Sequence, residues 1–96
     1  MAFLDDVLRA CMRIPKGKVA TYSNIARAIG RPGAFRAVGN ALNKNRSPLV
    51  PCHRVIRSDL GVGGFAWGAK KKGELLRKEG VLIKNGRVLK ACLVRI

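Results

Sequence analysis

Apolar positions in this chain come in short runs at helical spacing, broken by glycine and proline. Phe3, Leu4, Val7, Leu8, Ala10, Cys11 and Met12 form one stripe, which predicts an amphipathic helix over Phe3–Met12. Pro15 and Gly17 stop it. Thr21 or Ser23 can cap a second helix running through Ile25, Ala26 and Ile29. Gly30-Arg31-Pro32-Gly33 is a strong turn signal. A third helix then runs from Ala34 to about Leu42, with Phe35, Val38 and Leu42 inward and Arg31, Arg36 and Asn40 outside. Two short helices on a tight glycine turn, with arginine opening the second, read as a helix-turn-helix. The competing reading is a plain three-helix bundle with a solvated basic face.

Residues 43–51 read as a loop ending in Pro51, and Cys52-His53-Arg54-Val55-Ile56 as extended chain. Residues 57–68 are glycine-rich and carry Phe65 and Trp67, the pattern of a mobile loop or wing. Ala69–Lys78 reads as a helix with Leu75 and Leu76 inward and its lysines outward. Val81-Leu82-Ile83 and Val88-Leu89 flank an Asn85-Gly86 turn, which predicts a β-hairpin. The tail 91–94 can extend a strand, with Cys92 as packing. No repeat or linker divides the chain. The expected fold is one domain over 1–96, mainly α with a small β-hairpin: a winged helix-turn-helix.

Composition changes this picture in one respect. Lys and Arg number 20 against five acids, a formal charge of +15 on 96 residues. That much like charge repels itself unless a polyanion neutralises it, so nucleic acid is the leading partner and an anionic membrane the second. The membrane reading lacks an apolar face paired with a basic one, and no apolar run is long enough to span a bilayer. The first residues lack the basic and apolar regions of a signal peptide. Cys11, Cys52 and Cys92 are odd in number and far apart, which argues against a disulfide framework or a Cys-x-x-Cys metal site and for a reducing, cytoplasmic and nucleoid-associated setting.

The chemistry concentrates at Pro51-Cys52-His53-Arg54. A thiol beside histidine and arginine lies in a positive field that favours thiolate. On extended chain neighbouring side chains diverge, so His53 should reach Cys52 through a water or a bent backbone. A histidine base usually has its other nitrogen held by a carboxylate. Glu79 stands at a helix C-terminus, where the dipole disfavours it, so another group should hold it. The bland alternatives are a surface ion pair for Glu79 and a buried cysteine beside a surface histidine.

These residues resemble the C-terminal domain of the O6-alkylguanine-DNA alkyltransferases, the methylated-DNA–protein-cysteine methyltransferases. The resemblance rests on Ile14-Pro15-Lys16-Gly17-Lys18-Val19, Thr21-Tyr22-Ser23-Asn24-Ile25-Ala26, Arg36-Ala37-Val38-Gly39-Asn40-Ala41, Pro51-Cys52-His53-Arg54-Val55-Ile56 and Leu75-Leu76-Arg77-Lys78-Glu79-Gly80, in the family's order. The family's N-terminal domain is expected to be absent. The resemblance implies minor-groove binding, flipping of the damaged nucleotide, and transfer of the alkyl group from guanine O6 to Cys52, one lesion per molecule, with no metal or cofactor. It implies a monomer acting on double-stranded DNA. His53 would take the thiol proton through water and Glu79 would orient His53. Arg36 would fill the gap left by the flipped base, with Ala37, Gly39 and Asn40 on the same DNA-facing helix. Tyr22 would help rotate the nucleotide and donate a proton to the guanine, Asn45 would brace the active-site loop, and Ser58 would meet a phosphate. Cys52, Val55 and Ala66 would offer backbone groups to the base edge.

Two pocket positions depart from the family pattern. Phe65 stands where many members carry tyrosine, and Trp67 where some carry glycine; an indole there should crowd large O6 substituents. The loop between Arg36 and Cys52 is also one residue shorter than in some members. The alternative within this resemblance is an alkyltransferase-like protein, which binds the lesion without transfer and typically lacks the motif cysteine; here Cys52 is intact. A merely architectural DNA-binding protein explains the charge but leaves Cys52, His53 and Glu79 without a role.

Overall fold

A two-stranded parallel ladder divides the interior into two cores. In the computed structural model, which describes residues 2–44, 49–63 and 68–96, strand β1 (Ala20–Thr21) pairs with β2 (Val55–Ile56) in the register Ala20 to Val55 and Thr21 to Ile56. Side chains alternate across a strand. Ala20 and Val55 therefore enter a core shared with Val7, Cys11, Ile25, Val38 and Cys52, while Val19 and Ile56 enter a second one with Leu76, Val81, Val88 and Cys92.

The first core lies under three helices: α1 (Ala2–Cys11), α2 (Tyr22–Ala28) and α3 (Phe35–Lys44), packed pairwise. Thr21 caps α2, its hydroxyl accepting from the Asn24 amide at 3.1 Å. Residues 29–34 make the tight turn to α3, with Gly30 at φ +77°. This is the expected helix-turn-helix. The second core is closed by α4 (Ala69–Lys78) and the hairpin β3 (Ile83–Lys84) and β4 (Arg87–Val88). Asn85 and Gly86 turn that hairpin with positive φ at both positions, as a type I′ turn requires. Among the described residues no helix is long and apolar enough to cross a membrane.

Several details differ from the sequence reading. The chain at Cys52–Arg54 is a 3₁₀ turn, not extended, because Pro51 sets the entry and the Arg54 amide donates back to the Pro51 carbonyl at 3.0 Å. α3 continues to Lys44, past the expected end near Leu42. Phe35 is 45% exposed instead of core: it opens α3, ahead of the buried Val38 and Leu42. The tail forms a 3₁₀ turn over Lys90–Cys92 before Leu93 bridges Val19, the residue ahead of β1, in parallel, with the Val94 amide donating to the Val19 carbonyl at 2.8 Å. The lysines of α4 do not all face outward, since Lys72 is fully buried.

Candidate active site and nucleic-acid interface

The 3₁₀ turn places Cys52 at the inner edge of the first core, 5% exposed, immediately before β2. His53 leaves the same turn toward the end of α4, where its Nε2 stands 3.0 Å from Glu79 Oε2. Glu79 is the C-cap of α4, the end where a carboxylate is disfavoured, and Arg54 compensates. Arg54 Nε and Nη2 donate to Oε1 and Oε2 of Glu79 at 2.9 and 2.7 Å, and its Nη1 donates to the Ile14 carbonyl at 2.9 Å. One guanidinium thus ties the α1–β1 connection, the Cys52 turn and α4 together, the planar fork that lysine cannot imitate. Burial opposes the charge on Glu79, but the hydrogen bonds from Arg54 and His53 outweigh it and hold the carboxyl below its ordinary value. Gly17 belongs to this junction: at φ +85°, a Cβ there would stand 3.2 Å from the Glu79 carbonyl oxygen.

Sequence reasoning missed two members of this cluster. Arg54 was read only as a source of positive field, yet it is the main partner of Glu79. Lys72 was read as surface, yet it is fully buried, its ammonium 5.5 Å from the Tyr22 ring centroid and at 3.4 Å from Tyr22 Oη. A signal was present: Lys72, Leu76 and Glu79 stand at i, i+4 and i+7, one face of a helix. Burial lowers the Lys72 pKa to about 7, partly offset by Cys52, and burial with Cys52 nearby raises Cys11 to about 12. Tyr22 is likewise raised, by burial first and then by Cys11 and Cys52. These directions describe a neutral thiol, a phenol that keeps its proton and a weakly basic amine gathered beside Cys52.

The Lys72 environment has a measurable consequence. Between pH 7 and 10.5 the folded chain holds this lysine neutral while the unfolded chain protonates it, so stability rises with pH across that window. Thermal melts from pH 7 to 9 should show a gain of roughly 2–3 kcal/mol from this group. Lys72→Met should remove that slope and be more stable than the parent near pH 7. An unchanged slope would place the amine in water.

The expected DNA-facing residues also converge. Tyr22, Arg36, Gly39, Asn40 and Ser58 line one cavity of about 480 Å³ beside α3. Phe35, Asn43, Arg57 and Asp59 complete it and were not anticipated there. Gly39 faces Tyr22, whose ring carbons lie 3.9 Å from the point a Cβ would occupy, an ordinary contact distance. Ser58 pairs with Ser23 through their hydroxyls at 2.9 Å. Ala37 is exposed on α3 but is not part of the cavity wall. Val55 is fully buried, its side chain in the first core, so only its backbone is available to a ligand. Tyr22 joins the two groups, lining the cavity on one side and meeting Lys72 on the other. The expectations for Asn45, Phe65, Ala66 and Trp67 lie outside the described residues.

Known proteins share this arrangement. Residues 2–81 match the family described as 6-O-methylguanine DNA methyltransferase, DNA binding domain. The chain is 43% identical over 79 residues to the bifunctional transcriptional activator/DNA repair enzyme Ada of Escherichia coli, covering 81% of this chain and 22% of that protein. Mycobacterium tuberculosis OGT, solved in complex with DNA, superposes with a TM-score of 0.80 at 41% identity, over 83% of this chain and 50% of that one. Atl1 of S. pombe, solved with damaged DNA containing O6-carboxymethylguanine, superposes with a TM-score of 0.87 at 33% identity, over 99% and 96%. The chain thus spans half or less of the Ada and OGT proteins and nearly all of Atl1. With the sequence match over residues 2–81 and the fold in agreement, this chain belongs to the DNA-binding domain family of the 6-O-methylguanine DNA methyltransferases.

Proposed function

We propose that this chain repairs O6-alkylguanine in double-stranded DNA by moving the alkyl group onto Cys52, as the family's C-terminal active-site domain, once per molecule and without a cofactor. The observation that carries the reading is the buried Cys52 thiol on a 3₁₀ turn whose next residue, His53, is engaged by Glu79 at 3.0 Å. His53 sits between the Cys52 turn and Glu79, where the carboxylate would hold the imidazole while it accepts the thiol proton through a water. The thiolate attacks the alkyl carbon, a C–S bond forms, and the C–O6 bond breaks with its electrons passing to the guanine. Tyr22, 3.4 Å from Lys72 Nζ, supplies the proton the departing guanine takes up and regains one from solvent. Arg36, exposed on α3, enters the duplex as the nucleotide turns out into the pocket, with Ala37, Gly39, Asn40 and Ser58 along the backbone.

One observation favours a second reading, lesion binding without transfer: the likeness to Atl1 extends over nearly the full length of both chains. Cys52 separates the two. After incubation with duplex DNA containing one O6-methylguanine, intact mass should rise by one methyl group, found on the peptide containing Cys52. Cys52→Ser should bind the same DNA and gain nothing. Methyl on Cys11 or Cys92, or no gain with excess lesion, rejects transfer and leaves the binding reading.

A further inference from the structure

A second cleft, of about 520 Å³, opens between the loop after β2, α4 and the β3–β4 hairpin. We propose that it is a phosphate-binding track that carries the DNA backbone beyond the footprint of α3; this rests on the DNA-binding part of the proposed function and is independent of the transfer chemistry. Three cations line the cleft, Arg57, Lys70 and Arg77, against one acid, Glu74. Exposed Lys71, Lys78, Lys84 and Arg87 lie on the same α4 and hairpin elements. A concave surface with this excess of one sign focuses its field on an anion.

Both arginines lie against glycines of the wall. A Cβ at Gly73 would stand 3.6 Å from Arg77 Nη1, so the guanidinium lies back along α4 at ordinary contact distance. The Arg57 stem lies over Gly61 and Gly63 in the same way, with its Cγ 3.1 Å from the point where a Gly63 Cβ would stand. Arg57 is also the direction marker: it lines both this cleft and the cavity beside α3, so the two surfaces are continuous through it. An acidic protein segment would satisfy the charge equally well, but that continuity favours the polyanion already bound at α3. A strand leaving α3 crosses Arg57 and meets Lys70 and Arg77 next.

The test is a salt titration on undamaged duplex, which needs no transfer. Each phosphate contact contributes roughly −0.9 to the slope of log affinity against log salt. Lys70→Ala with Arg77→Ala should make the slope shallower by roughly 1.8 and weaken binding at about 50 mM salt by more than about tenfold. Arg9→Ala with Arg13→Ala removes the same charge from a separate cavity on α1 and should leave the slope nearly unchanged. Lys70→Gln with Arg77→Gln repeats the test if the alanine pair is poorly folded. Equal shallowing in the α1 and α4 pairs would show a net-charge effect, and no shallowing in the α4 pair would show an unused cleft; either overturns the track. If Cys52 takes up no methyl while the α4 slope still falls, the transfer reading fails and the track stands.

Discussion

His53→Ala should slow methyl transfer to Cys52 by roughly 10²–10⁴-fold, the usual worth of a positioned general base, with affinity for undamaged duplex unchanged. The imidazole is not on the α3 surface; it stands between the Cys52 turn and Glu79. On the proposed mechanism its loss therefore removes the thiol's proton acceptor without removing a contact of the α3 surface. Glu79→Gln should move in the same direction by less, because the amide keeps the size of the carboxylate beside Nε2 but no longer stabilises an imidazolium charge. Single-turnover rates on lesion duplex, set beside binding to plain duplex, separate the two quantities. Parent-like rates in both variants would make the His53–Glu79 pair structural only.

Arg54→Ala carries the largest expected cost to the fold. The side chain is 16% exposed and donates to both oxygens of Glu79 and to the Ile14 carbonyl. Removing one partner of a mostly buried pair leaves the other charge uncompensated, a loss of about 3 kcal/mol, which in a domain of this size lowers Tm by on the order of 10–20 °C. Arg54→Lys should recover only part of it, lacking the fork. The acid limb gives a second readout. Glu79 is held below its ordinary value of 4.5, so its contribution is complete above that pH and is lost as pH falls through the lowered folded value. In Arg54→Ala this limb should become shallower, since the hydrogen bonds from the guanidinium are the largest cause of the lowering. A variant that melts like the parent, with the same acid limb, would reject the Arg54 staple.

Much of the fold was legible because it is encoded locally. The apolar stripe of α1, the Thr21 cap, the Gly30–Gly33 turn, the periodicity of α3 and α4 and the Asn85-Gly86 hairpin each depend on residues a few positions apart. Such signals are read from spacing alone. The Pro51-Cys52-His53-Arg54 block stood out for the same reason, and the odd placement of Glu79 pointed to a distant partner, which the fold supplies as Arg54. The β1–β2 ladder was not legible: two residues on each side, paired across a separation of 35 positions, leave no run long enough to show a period of two. Yet that ladder sorts Val55 into one core and Ile56 into the other.

The sequence by itself determined the helices, the turn between α2 and α3 and the basic character of the surface, because each is a property of a residue or of its near neighbours in the chain. The tertiary structure alone decided that Arg54 would chelate Glu79, that Lys72 would be buried against Tyr22 instead of joining the other lysines in water, and that Arg57 would link two basic clefts. Those outcomes depend on which elements pack against which. A charged side chain enters the interior only where another element brings its partner, and that meeting depends on contacts across 25 residues for Arg54 and Glu79 and 50 for Lys72 and Tyr22.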